Sequence, residues 1–411
     1  MDKERMTAET TKERKTWLGM DEVQLQEAGG TFTAKEITQQ PLLWKNTWAL
    51  VNKSKAALQA FLNDIYTITD MEVVLTGAGT SAYIGSILRD PFQKSSRKNT
   101  WAAPTTDLVS HPHHYFQPDR TLLLVSFARS GNSPESVAAI NLANAICKKA
   151  FHLIITCNPE GDLARMGDRP DCFVFHLPEE TNDRGLAMTS SFTCMLLAGL
   201  LITRIDRINR YAETVSRLAD YGDRIITRYT QPLKDMASLD FNRALFLGSG
   251  PLQDAAQESQ LKLQELTDGK VICKHDSFLG LRHGPKVVID HKTLIFFLYS
   301  NEDYVHLYEA DLVKSILATE KGIGQVGISE FPDNDLQATL AISFSEYEEK
   351  IEEDFLSVCS VLPAQILAFF KSVNLGLKPD APSANDTITR VVQGVTIYPY
   401  RADHIHSFNR L

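Results

Sequence analysis

From Met71 onward the chain repeats one arrangement, a short apolar run followed by a longer stretch with apolar residues at helical spacing. The runs MEVVLT, TLLLVSF, FHLIIT and DCFVFHL are apolar at odd and even positions alike, so each offers apolar side chains to both faces of a sheet. Such strands are stable only where helices cover both faces, and SAYIGSILRDPF, SPESVAAINLANAICKK and MTSSFTCMLLAGLLI supply the covering. After a charge-rich helical stretch, 206–235, the alternation restarts with RALFLGSG and PLQDAAQESQLKLQELT, then KVICKH, TLIFFLY, GQVGIS and ATLAIS, and it ends in a long apolar helix near 354–375. Both halves open with a strand running straight into a Gly-rich turn and a helix, LTGAGTSAY and LFLGSGPLQ. The pattern predicts an α/β protein of two tandem doubly wound domains, each a mainly parallel sheet flanked by helices. The expected divisions are an N-terminal helical segment 1–48, a first domain 49–215, a second domain 216–375 and an irregular tail 376–411 carrying Pro379, Pro382 and Pro399.

A length of 411 residues allows two to three domains with sizeable cores. The 51 acidic against 42 basic residues leave a net charge of −9, which argues against a mainly electrostatic nucleic-acid binder. Six scattered cysteines with no CxxC pair read as free thiols. The charged N-terminus lacks the apolar core of a secretory signal, and 192–203, the longest unbroken apolar run, is too short to span a bilayer. A cytoplasmic protein with neither nucleic-acid nor membrane partners is expected.

Four segments could carry chemistry. Gly77-Ala78-Gly79-Thr80-Ser81-Ala82 follows a strand and opens a helix, where backbone N–H groups can approach an anion. Alone it also matches the relaxed dinucleotide fingerprint GxGxxA, with Asp107 as a ribose partner, or a plain hydroxyl-capped turn. A second strand ends in Ser126-Phe127-Ala128-Arg129-Ser130-Gly131-Asn132-Ser133-Pro134, rich in hydroxyls and also a good helix start. Two such loops in one sheet favour a compact phosphate pocket over a dinucleotide site. In the second half Glu258, Lys262 and Glu265 fall on one helix face, as an exposed ion pair or as acid–base machinery. His283 in His283-Gly284-Pro285 can exchange protons near neutrality or simply stand at a strand entry. The triplet His111, His113 and His114 lacks a partner at metal-binding spacing, and Thr189 and Ser190 open an apolar helix that could face the crevice. His404 and His406 read as surface residues.

The loops GAGTSAY and SFARSGNSPES resemble the two phosphate-binding motifs of sugar isomerase (SIS) domains. ESQLKLQELTDGKVICKHDSFLGLRHGPKVVID resembles the second such domain in the isomerase half of glucosamine-6-phosphate synthase. TAKEITQQPLLW, NDRGLAMTSSFT and TRVVQGVTIYPY are closer to the galactosamine-6-phosphate deaminase/isomerase group, also called tagatose-6-phosphate ketose/aldose isomerases, and the likeness covers about residues 34–398. The resemblance implies phosphate contacts at Gly79, Thr80, Ser81, Ser130 and Ser133, an isomerisation base at Glu265, Lys262 near the reacting carbons and His283 as the ring-opening group. Arg129, Asn132, Thr189, Ser190 and Glu258 complete the expected substrate contacts. Ala128 stands where the family's loop has its first Ser and Arg129 where it has Gln, which implies a partly ionic hold on phosphate. Arg390 matches the synthase tail's Schiff-base lysine and cannot form an imine, and no glutaminase is expected before the first domain.

The resemblance thus implies conversion of an amino-sugar phosphate, galactosamine 6-phosphate foremost, to a ketose phosphate and ammonia. No metal or redox cofactor is expected, because the adjacent carbonyl acidifies the C–H bond. Partners would be the sugar phosphate and a second copy of the chain, with His283 acting across a homodimer or larger homo-oligomer. Plain aldose/ketose isomerisation and a non-catalytic sugar-phosphate sensor are the alternatives.

Overall fold

The structure is a computed structural model and describes residues 15–332, 338–383, 385, 387–392 and 394–400. His404 and His406 lie outside the described residues.

The first sheet contains β1 (Met71–Thr76), β2 (Thr100–Ala102), β3 (Thr121–Ala128), β4 (Lys149–Thr156) and β5 (Cys172–His176), in the order β2-β1-β3-β4-β5. The second contains β6 (Arg243–Gly248), β7 (Ile272–Ser277), β8 (Thr293–Leu298), β9 (Gly324–Ser329) and β10 (Leu340–Ser343), in the order β10-β9-β8-β6-β7. Read from the opposite edge, the second order is the first one repeated, and every strand pair is parallel. In each sheet the winding reverses between the first strand and the third, so a crevice opens beyond their carboxyl ends. The loops after β1 and β3 flank that switch point.

The repeat extends to backbone detail. Gly79 (φ 55°, ψ −127°) and Gly250 (φ 53°, ψ −128°) cap the helices Thr80–Ser96 and Pro251–Leu266 in the same conformation, which side-chain-bearing residues rarely adopt. These two helices pack against each other and bring the loop of one half to the helix of the other.

Two expected boundaries fall inside helices. Position 48/49 lies within Gln40–Lys53, which packs against Ser190–Ile202 and Tyr211–Ala237, so the N-terminal segment belongs to the core. Position 215/216 lies within Tyr211–Ala237, a 27-residue helix running from the first half to the second. One continuous cluster, from Leu18 through Trp44, Phe192 and Phe246 to Phe370, joins both halves. All 13 residues of Ser190–Ile202 are buried, and cutting one of its leucines to alanine would cost about 2–5 kcal/mol. The 22 residues Glu353–Asn374 are long and apolar enough to cross a membrane by length and composition, but nearly all are packed inside the protein. The tail after Leu375 runs without helix or strand through its described residues.

Candidate active site

The ionic row on the second-half helix is not a solvated face. Glu258 and Lys262 are fully buried, and Glu265 is a quarter exposed at its side chain. Lys262 Nζ donates to Glu265 Oε2 at 2.8 Å and to Thr80 Oγ1 at 3.0 Å, and it lies 3.4 Å from Glu258 Oε1. Burial pushes the Glu258 carboxyl up to about 8 against the pull of the Lys262 ammonium. For Lys262 burial acts downward, but the two carboxylates outweigh it and hold the ammonium above its ordinary value. A cationic Lys262 thus stands between the buried Glu258 and, toward the opening, Glu265. A partly exposed carboxylate beside a buried cation is a group that can take and return a proton.

Tyr83, three residues after Thr80 on the first-half helix, was not singled out in the sequence. Burial raises its phenol, with Glu258, Lys262 and Glu265 all close enough to act on it. The i, i+3 spacing from Thr80 was the available signal.

A cavity of about 100 Å³ adjoins this row, lined by Ala78 and Ser81 of the first loop, Arg129, Ser130 and Ser133 of the second, and Met188 and Arg390. Ser133 caps the helix Pro134–Ile146 by accepting from Ser136 N at 3.3 Å, which aims that helix N-terminus at the cavity. Ser130 Oγ accepts from Asn132 N at 3.3 Å. Ser81 of the cavity wall directly follows Thr80, the partner of Lys262, and Glu265 lies near enough to Arg129 for their charges to interact. A larger cleft of about 900 Å³ lies farther along Pro134–Ile146, between His111–His114 and Ile397–Tyr400. There the His111 and His114 rings stack at 5.2 Å and His113 rests on Tyr400, with none of the convergent charge found in the crevice.

Several expected contacts are corrected by their partners. The Thr80 hydroxyl accepts from Lys262 Nζ and does not line the cavity. Arg129 Nη1 donates to the Leu186 carbonyl at 3.0 Å and the Gly185 carbonyl at 3.4 Å, and Nη2 donates to the Arg390 carbonyl, so this buried side chain braces the cavity wall while bringing its charge near. Asn132 Oδ1 accepts from Asp162 N at 2.9 Å and its side chain turns away from the cavity. Ser190 donates to Asp183, which also accepts from Thr189 N at 2.8 Å and Ser191 N at 2.9 Å; Thr189 and Ser190 therefore build the helix start, and Met188 takes the place at the cavity. His283 is exposed on the turn after the helix Phe278–Leu281, and its ring makes no hydrogen bond or ion pair among the described residues. Gly79, Ser81, Ser130, Ser133, Glu258, Lys262 and Glu265 converge; His283 stands apart.

Comparison with known proteins places this arrangement. The SIS domain model matches residues 68–204. D-galactosamine-6-phosphate deaminase AgaS of Escherichia coli is 39% identical over 91% of this chain and 97% of its own length. The chain belongs to the AgaS family. Among solved structures, tagatose-6-phosphate ketose/aldose isomerase from Escherichia coli superposes with a TM-score of 0.84 at 36% identity, over 91% of this chain and 98% of that one. The C-terminal domain of glucosamine-fructose-6-phosphate aminotransferase from Francisella tularensis shares the fold, with a TM-score of 0.71 at 16% identity over 85% of this chain and 98% of that one. Like its AgaS relatives, the chain is an enzyme built of two tandem SIS domains, the reading to which the paired loops and the HGP segment point.

Proposed function

We propose that this AgaS-family enzyme converts D-galactosamine 6-phosphate and water to tagatose 6-phosphate and ammonia in the cytoplasm. The observation that carries the reading is Lys262 Nζ bonded at once to Glu265 of the second half and Thr80 of the first, which couples a proton-transfer group to the phosphate loops. With the phosphate at Ser81, Ser130 and Ser133, the sugar's C1 and C2 extend toward Glu265. Once the ring is open, Glu265 removes the C2 proton, and Lys262 stabilises the oxygen of the resulting enolamine. Return of that proton to C1 gives a ketimine at C2. Water adds to the ketimine carbon, and the C–N bond breaks to leave the ketone and ammonia.

Ring opening is assigned to His283 of a neighbouring copy. Two features support this: the exposure of His283, and the exposed apolar residues Leu279, Val287, Tyr304 and Leu307 on and around the same turn. Mixing inactive Glu265→Gln and His283→Ala chains should restore part of the activity in hybrids; hybrids that form and stay inactive would remove the shared site.

A coupled ammonia assay across hexosamine 6-phosphates tests the whole reading. Release of one ammonia per ketose formed, fastest with the galacto epimer, is expected. Aldose–ketose interconversion without ammonia would instead favour the plain isomerase, the reading suggested by the name of the superposing Escherichia coli structure.

A further inference from the structure

Arg129 and Arg390 line the same cavity, one from the loop after β3 and the other from the C-terminal tail. Arg390 Nε donates to the Asp183 carbonyl at 2.7 Å and Nη2 to Asn182 Oδ1 at 2.7 Å, so it is fixed by neutral acceptors and Nη1 keeps no partner among the described residues. Arg129 holds the backbone carbonyl of Arg390 in turn, together with the carbonyls of Gly185 and Leu186. The neighbouring carboxylate, Asp183, has both oxygens engaged by Thr189, Ser190 and Ser191. Among the described residues neither arginine forms an ion pair. Two cations therefore share the wall of a cavity of about 100 Å³, and burial together with repulsion from Arg390 lowers the pKa of the Arg129 guanidinium. Like charges this close are stabilised by an anion placed between them.

We propose that Arg390 is a substrate-binding residue which, with Arg129, selects a dianionic phosphate monoester, and that the bound phosphate steadies the tail bearing it where it lies against the crevice. The inference rests on the sugar-phosphate reading and deepens it by naming what holds the phosphate's charge. The hydroxyls of Ser81, Ser130 and Ser133 supply neutral bonds on the loop side, and the planar guanidinium fork supplies a charged donor from the tail side. Val391 and Val392 line the cavity beside Arg390, so an anion that fixes Arg390 also fixes this part of the tail. A monoanion balances one of the two cations and a dianion balances both.

The test uses the full chain, inorganic phosphate as probe and no turnover. Calorimetry should show phosphate binding that tightens as the probe loses its second proton. Arg390→Gln should weaken it about 10- to 100-fold, the range for a hydrogen bond to a charged group, and flatten its pH dependence, with Arg390→Lys falling between. Hydrogen exchange of the amides in 387–392 should slow with phosphate in the wild type and not in Arg390→Gln. Binding within about twofold of wild type in Arg390→Gln, or tail exchange indifferent to phosphate in the wild type, overturns the proposal. Should circular dichroism show Arg390→Gln unfolded, Arg390→Lys is judged by the same criteria. Failure of every hexosamine phosphate to release ammonia would remove the deaminase reading, while phosphate binding would still decide Arg390.

Discussion

The two halves wind in the same order, yet the groups that meet the crevice loops differ between them. Beyond β1 and β3 the loops present Ser81, Arg129, Ser130 and Ser133 to a cavity that Arg390 of the tail also lines. Beyond β6 and β8 the matching loops meet the protein's own carboxylates. Glu309 Oε2 accepts from Ser300 N at 3.0 Å, Ser300 Oγ donates to Glu353, and Glu330 accepts from Asn301 Nδ2 at 2.7 Å and Ile351 N at 3.0 Å. Acids thus stand in the second half where the first offers donors to a ligand. On the proposed reading the duplicated fold divides the work: one copy keeps the anion crevice, and the other carries the proton-transfer row on the helix that follows its glycine turn.

The largest expected effect comes from cutting the link between the halves. Lys262→Met keeps the length of the side chain but leaves Glu258 and Glu265 without their cation. Turnover should fall by at least ~10²-fold, as when a preorganised charge is removed from a developing oxyanion. Stability should fall by about 3 kcal/mol, as when one partner of a buried ion pair is lost, measurable by urea unfolding at pH 8. Activity within a few-fold of wild type would leave the lysine a structural ion pair only.

Thr80→Val separates the two duties that meet at the first loop. Because the hydroxyl accepts from Lys262 Nζ at 3.0 Å, its loss should lower kcat about tenfold, the cost of one hydrogen bond to a charged group, and leave KM within about threefold. A rise in KM with kcat intact would return Thr80 to the phosphate.

Much of this division was legible in the sequence, and its limits are physical. Strands such as TLLLVSF were readable because parallel strands buried on both faces are apolar throughout. β2 was missed: Thr100–Ala102 is only three residues long and lies at the sheet edge, with Trp101 half exposed. The row Glu258, Lys262 and Glu265 was visible as spacing, but its burial depends on the helix Thr80–Ser96, some 180 residues away in sequence, as the Lys262–Thr80 separation of 182 shows. The same distance dependence explains the misdirected side chains. Asn132 and Ser190 sit in the right loops, and their orientation is set by Asp162 and Asp183. Arg390 was visible in the sequence only as a residue unable to form an imine, because its place beside Arg129 is a tertiary contact across 261 positions.

The smallest effect sharpens the contrast from the second half. Burial pushes the Glu309 carboxyl up to about 7, against bonds from Ser249 and Ser300 and with help from Glu353. The folded chain therefore holds this proton more tightly than the unfolded one, whose ordinary value is 4.5. Its contribution to stability is complete below that value and is lost as pH rises toward about 7. Glu309→Gln, which imitates the protonated acid, should raise Tm little at pH 5 and more at pH 8, there by on the order of 2 °C. A larger gain at pH 5 than at pH 8 would contradict the assignment.

The central claim is that the first half binds and the second half reacts, and Glu265→Gln addresses it most directly. The amide keeps the size and hydrogen bonding of the side chain and loses the proton acceptor, so the transition state should suffer and the bound ground state should not. Galactosamine 6-phosphate should bind this variant with a Kd within about threefold of its wild-type KM, while kcat falls by ~10²–10⁴-fold, the usual cost of losing a general base. Exchange of the C2 hydrogen with heavy water should disappear with it. Turnover within a few-fold of wild type, or a loss of binding as large as the loss of rate, would contradict the account.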